Sequence, residues 1–398
     1  VKKYFKYLRG DKVIWVITLI LLAFSLVSVY SFVPILVKMS GGTPFKYLFK
    51  HLVYVLIAFT AMFWIHKKDP AYFSKLARFA FYASIGLLVF TFFFGEKVNG
   101  AGRWIGIPFV GLTFQASDFA KLALILYVSR LLVKKKDVLN SWKDGFWPIM
   151  FPIIIICGLI VKDNFSTAAI VFAICLVMLF LGKVPFMKIA SLIGGGILLF
   201  AFVIAAHKAL PDLNLLPRYQ TWENRIMSRF NLKAEVTDDI EVVDNAQAKN
   251  AELGIFNGGL FGQGPGDGKV KEYVPEAYAD FFYASFVEEF GLIGAFFLVM
   301  MYLILFYRMI RIALKSDKLF ETYAVLGIGI LLLSQATVNM LVCTGVFPVT
   351  GQNMPLLAMG GSALIMTCVA IGIVQSIATR QQPAEQAERD VLENELRE

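Results

Sequence analysis

Ten long apolar runs decide most of what this 398-residue chain can become. They lie at about 13–37, 50–66, 76–95, 116–133, 146–161, 165–182, 187–207, 279–307, 322–344 and 353–378. About 20 apolar residues, at 1.5 Å of rise each, cross a hydrocarbon core. The runs are continuously apolar, whereas the strands of a membrane barrel alternate over about ten residues. Helices are therefore expected and strands are not, giving an all-α polytopic membrane protein. Composition agrees: 17% of residues are charged, against roughly a quarter in soluble domains.

The net charge of +9 does not point to nucleic acid, because the basic residues fall in short clusters between apolar runs. Read as topology signals, Lys2 to Lys12, Lys67 to Arg78, Lys134 to Lys143, Lys183 to Lys188 and Arg308 to Lys318 mark one side as cytoplasmic. Both termini then share that side and the number of spans is even. The first run exceeds the 7–15 residue core of a cleaved signal peptide and is expected to stay as an anchor. Cys157, Cys175, Cys343 and Cys368 all sit in apolar runs without metal-ligand spacing, so a disulfide framework is not expected.

Two outer segments are too long to be turns, about 96–115 and 208–279. The second is rich in aromatic residues and is expected to form short helices on the outer surface. Residues 1–379 read as one integral-membrane domain, and 380–398 as a solvated tail.

Ionisable groups at membrane depth are costly unless paired or hydrated, so each is a functional candidate. Arg103 and Trp104 precede Gln115, Ser117, Asp118 and Lys121 at the mouth of the fourth run. Asp118 and Lys121 are three apart on a helix and can neutralise each other, as an interfacial ion pair or as part of a site. Asp163, followed by Asn164 and Ser166, occupies a tight turn that helix capping also explains. Asp280 enters the eighth run ahead of Glu288 and Glu289, more acids than capping requires. The glycine-dense stretch 254–268 with Lys269 and Lys271 is either a flexible loop or a backbone cradle for a pyrophosphate. It is not a P-loop, since Gln263 and Val270 stand where glycine and Ser or Thr are needed. His51, His66 and His207 are scattered, and no Gly-x-Ser-x-Gly elbow is present.

Four motifs in order resemble the SEDS family (shape, elongation, division and sporulation), the FtsW and RodA proteins. They are Gly102-Arg103-Trp104 with Phe114-Gln115-Ala116-Ser117-Asp118-Phe119-Ala120-Lys121; Lys162-Asp163-Asn164-Phe165-Ser166-Thr167-Ala168; Gly258 to Gly264 through Pro275 to Phe281 and Glu288 to Gly294; and Val349 to Pro355 with Met359-Gly360-Gly361-Ser362. Departures include Ala116-Ser117-Asp118 for the usual Pro-Ser-Glu and Lys162 for the usual proline.

The resemblance implies a glycosyltransferase that polymerises lipid II, the undecaprenyl-pyrophosphate-linked disaccharide peptide, with inversion at the donor anomeric carbon. Asp280 matches the essential aspartate and would be the base. Arg103, Lys121, Lys269 and Lys271 would meet the pyrophosphates, or a divalent cation, magnesium or manganese, that some members use; no other cofactor is implied. Trp104, Gln115, Ser117, Asp118, Asp163, Ser166 and Glu289 complete the expected substrate-binding set. The partners implied are a class B penicillin-binding protein and other divisome proteins in the inner membrane. The Pro-Val-Thr-Gly-Gln ending resembles the division branch more than the elongation branch. A lipid II transporter and a non-catalytic scaffold are the rival classes.

Overall fold

The computed structural model describes residues 8–98, 101–107, 112–161, 164–209, 239–274 and 277–395. Each apolar run falls on a helix: α1 (Lys12–Ser40), α2 (Pro44–Ile65), α3 (Pro70–Phe94), α4 (Ala116–Lys134), α5 (Trp147–Val161), α6 (Phe165–Leu181) and α7 (Phe186–Ala209). After α8 (Asp239–Gly258) come α9 (Phe282–Leu314), α10 (Leu319–Cys343) and α11 (Gly361–Glu395). Among the described residues, seven of the spans are long and apolar enough to cross a membrane by length and composition. The others are α4, which carries Asp118, Lys121, Arg130 and Lys134, the shorter apolar helix α6, and α7, whose apolar stretch among the described residues is Phe186–Gly196.

Helix α4 is the hub. It packs against α3, α5, α6, α10 and α11, and its buried face runs from Ala116 to Leu132. Contacts at one end of the bundle fix the relative directions of the helices. Asp11 caps α1 by accepting from the Val13 and Ile14 amides, and it also pairs with Arg308 near the end of α9. Arg380 on α11 pairs with Glu321 at the start of α10, at 3.0 Å. The start of α1, the end of α9, the start of α10 and residue 380 therefore share one face, as the charge pattern predicts. The tail continues α11 to Glu395 as helix, and Gln381 donates to the Ile312 carbonyl at 2.9 Å.

At the opposite face the chain forms strands outside the apolar runs, where the expectation of helices did not reach. Residues 96–115 contribute an antiparallel meander of β1 (Glu96–Val98), β2 (Ala101–Ile107) and β3 (Leu112–Gln115). Clear of the spans, a short segment satisfies its amides by pairing with itself. The Thr113 amide donates to the Tyr54 hydroxyl at 3.0 Å, which ties the sheet to α2. The second outer segment supplies α8, a glycine loop and one helical turn at Val270–Tyr273. The last apolar run turns helical only at Gly361; residues 353–360 form a folded loop.

Candidate active site

Asp280 sits in the turn just before α9 and is half-buried. Its backbone is gripped by Asn339, an amide on the apolar helix α10. The Asn339 Nδ2 donates to the Asp280 carbonyl at 2.9 Å and to the Gln352 carbonyl at 2.8 Å. Its Oδ1 accepts from the Tyr283 amide at 3.3 Å. Gln352 in turn donates to Thr167 Oγ1 on α6 at 2.6 Å. The Met359 amide donates to the Tyr278 carbonyl at 3.0 Å, a further tie between this turn and the loop before α11.

That loop faces the carboxylate with a glycine. Gly351 has φ +66°, and a Cβ built there would lie 3.4 Å from Asp280 Oδ2 and 3.8 Å from Asn164 Nδ2. The side chains of Asp280 and Asn164 thus converge on one bare stretch of backbone. Asn164 also caps α6 by accepting from the Thr167 amide at 3.0 Å.

The same loop reaches the second constellation. Asp118 and Lys121 form an ion pair at 2.8 Å, both side chains under 10% exposed. The other carboxylate oxygen of Asp118 accepts from the Ser362 hydroxyl at 2.9 Å. The pair lines a cavity of about 30 Å³ together with Gln335, Asn353, Met354 and Thr367, enough for a water molecule and too little for a sugar. Ser362 reaches Asp118 because α11 begins against α2: a Cβ on Gly361 would fall 2.1 Å from Tyr54 Cζ. That close approach accounts for the second glycine of Met359-Gly360-Gly361-Ser362.

The remaining candidates separate. Trp104 and Gln115 face each other across the β2–β3 ladder, leading into half-buried Ser117. Ser166 is half-buried in the first turn of α6. Arg103 lies on β2, its side chain outside the described set, and Lys162 and Asp163 lie outside the described residues. Lys269 is exposed. Lys271 and Glu289 are buried and paired at 3.1 Å, so each is held by the protein itself. Part of the glycine stretch is fixed against α9, since amides 262–264 donate to the carbonyls of Gly258, Glu288 and Glu289.

Asn339 was not among the residues singled out from sequence, whereas Gln352 and Thr167 stood there only as members of the motifs, without a role of their own. The signal for Asn339 was an amide side chain in an apolar span, one of two there with Gln335, a polar group at depth of the same kind as the acids.

The fold and site define a polytopic α-helical membrane protein with an acidic turn and a buried ion pair gathered on one face. Residues 11–383 match the family model for cell cycle proteins of the FtsW/RodA/SpoVE group, and the chain belongs to that family. A probable peptidoglycan glycosyltransferase FtsW of Geobacter sp. (strain M18) is 32% identical, covering 94% of this chain and 98% of that protein. Stage V sporulation protein E of Bacillus subtilis is 29% identical, covering 92% and 96%. In fold, the chain resembles one from a peptidoglycan synthase complex that coordinates polymerization and crosslinking, with a TM-score of 0.71 at 22% identity, covering 94% and 98%. It also resembles the rod shape determining protein RodA of Thermus thermophilus, with a TM-score of 0.65 at 22% identity, covering 94% and 97%.

Proposed function

We propose that this chain polymerises lipid II into glycan strands as a peptidoglycan glycosyltransferase, serving septal wall synthesis in cell division. Full-length relatives named FtsW support that reading. One observation carries the chemistry: a half-buried carboxylate, Asp280, whose backbone is fixed by Asn339 and whose side chain faces the Gly351 turn. A base must be positioned before it is useful.

In the step assigned to it, Asp280 takes the proton of the acceptor sugar hydroxyl as that oxygen attacks the donor anomeric carbon. The bond to the lipid pyrophosphate breaks, and configuration inverts. Lys121 and Lys269 are the basic groups this reading assigns to offset the charge on the leaving pyrophosphate. Among the described residues no cluster of three His, Cys, Asp or Glu side chains stands ready to hold a metal ion. Asp118 is already engaged by Lys121 and Ser362. No step is therefore routed through a cation.

The lysine-rich connections support an orientation with Asp280 on the outer face of the bacterial cytoplasmic membrane. A class B penicillin-binding protein that cross-links the nascent strand is the partner this reading calls for.

The test is polymerisation of lipid II by the full chain with its cognate transpeptidase, comparing wild type with Asp280→Ala and Asp280→Asn at matched folding. A loss of about 10²–10⁴-fold is expected. Wild-type glycan ladders from either variant overturn the assignment, and lipid II movement across liposomes without glycan would make the chain a transporter.

A further inference from the structure

Helix α9 is two helices. Gly291 interrupts it with φ +69° and ψ −175°, leaving a front piece, residues 282–290, that begins two residues after Asp280. A break within a span frees backbone groups that lipid cannot satisfy. The glycine loop after α8 satisfies them. The Gln263 and Gly264 amides donate to the Glu288 and Glu289 carbonyls at 2.8 and 3.1 Å. In return the Leu292 and Ile293 amides donate to the Gly259 and Leu260 carbonyls at 2.9 and 3.2 Å. The two backbones are so close that a Cβ on Gly262 would lie 2.2 Å from the Glu289 carbonyl oxygen.

A buried ionic contact closes the same joint. Lys271 Nζ lies 3.1 Å from Glu289 Oε1 and 2.8 Å from Ser31 Oγ on α1, and it also bonds the Gly266 carbonyl. Ser31 donates to Glu289 as well. An ammonium has three N–H donors, and here the protein supplies three acceptors. A phosphate could bind Lys271 only by displacing one of them. Side-chain exposure is 7% for Lys271 and 5% for Glu289, whereas Lys269, two residues earlier, is exposed.

We propose that Lys271, Glu289 and Ser31 form a positioning lock: with the glycine loop they fix the front piece of α9 against α1, and so set where Asp280 stands. Lys271 is a positioning residue and does not touch the lipid-linked sugar. The proposal rests on the reading of Asp280 as the base. The front piece is a rigid rod with Asp280 ahead of one end and Glu289 at the other. Slack at the lock moves the carboxylate, and a displacement of about 1 Å is enough to cost roughly 100-fold in rate.

The experiment uses the full chain with its transpeptidase in proteoliposomes and lipid II as substrate. It compares wild type, Lys271→Met, Lys271→Arg and Asp280→Asn. Two quantities are read: hydrogen exchange at the amides of Gln263, Gly264, Leu292 and Ile293, and the separate kcat and KM for lipid II. For Lys271→Met, exchange at those four amides should accelerate at least about tenfold. Its kcat should fall between about 10 and 100-fold, with KM unchanged. Lys271→Arg, which keeps donors for all three acceptors, should retain both protection and kcat, and it serves as the test if Lys271→Met does not fold.

Unchanged exchange in Lys271→Met overturns the lock, as does accelerated exchange with wild-type kcat. A raised KM at wild-type kcat in either Lys271 variant makes this lysine a substrate contact and also overturns it. Asp280→Asn separates the two claims. It should abolish turnover with wild-type exchange, and if it remains active the base assignment fails while the exchange data still judge the lock.

Discussion

Two buried ion pairs stand toward one end of this bundle, Asp118–Lys121 and Lys271–Glu289; helical spacing points to the first, whereas nothing in the sequence joins the second. Their settings differ. Asp118 and Lys121 are one turn apart on α4 and border a cavity of about 30 Å³. Lys271 and Glu289 are brought together from a loop and a broken helix, with Ser31 of α1 as the third member. The first pair leaves room for water beside its ammonium, and the second has every donor taken. Accessibility of the remaining bonding capacity, more than the charge itself, separates a lysine that can meet a ligand from one that holds a backbone.

The largest expected effect breaks that comparison directly. Glu289→Ala leaves an ammonium buried without its counter-charge, which typically costs about 3–5 kcal/mol. Asp118→Ala also strands a lysine, but the adjoining cavity can hydrate it, so a cost of about 1–3 kcal/mol is expected. Denaturant titrations of the two variants in detergent measure the difference. Equal losses would mean that the cavity gives Lys121 no relief and that the two pairs are alike. Replacing both partners with apolar residues, Lys271→Met with Glu289→Leu, should recover most of the stability lost by Glu289→Ala.

A smaller effect is expected where α11 meets α2. Gly361→Ala drives a methyl into the Tyr54 ring, and overpacking of this kind costs about 1–3 kcal/mol. It should also loosen Ser362 from Asp118. Tyr54→Ala in the same chain opens the space, so the double variant should be more stable than the sum of the single losses implies. Strict additivity in that double-mutant cycle would show that Tyr54 is not what the glycine accommodates.

The fold was largely legible because membrane spans are written in composition: each of the ten runs became a helix. Asp280 and the Asp118–Lys121 pair were legible because charge at membrane depth is rare. The three-stranded sheet was hidden, since continuous apolarity excludes strands in the spans and says nothing of a segment between them. The joint at Gly291 was hidden for a different reason. It is made by backbone groups of residues 259–264 and 288–293, and backbone pairing leaves no side-chain mark except the glycines that permit it. Those glycines were noticed, but the same residues would suit a phosphate cradle, and only the geometry shows which carbonyls their amides meet. Ser31 left no mark, being one of several serines on an apolar helix.

Helix α10 offers the finest test of the two settings, because it serves both. Asn339 holds the backbone of Asp280, whereas Gln335, one turn earlier on the same face, lines the cavity beside Asp118. Hydrogen bonds between helices in a membrane average about 0.6 kcal/mol and reach about 1.7, so Asn339→Leu should cost little stability. Its effect on turnover should be disproportionate, roughly tenfold, because the lost contacts position a reacting group. Gln335→Leu is close to volume-conserving and should cost under about 1.5 kcal/mol, with kcat retained and any kinetic change confined to KM. The comparison is a kcat and KM determination on both variants, normalised to folded protein. A kcat loss of the same size at Gln335 would mean that the cavity and the Asp280 turn act as one unit, joined through the loop of residues 349–360 that borders them both.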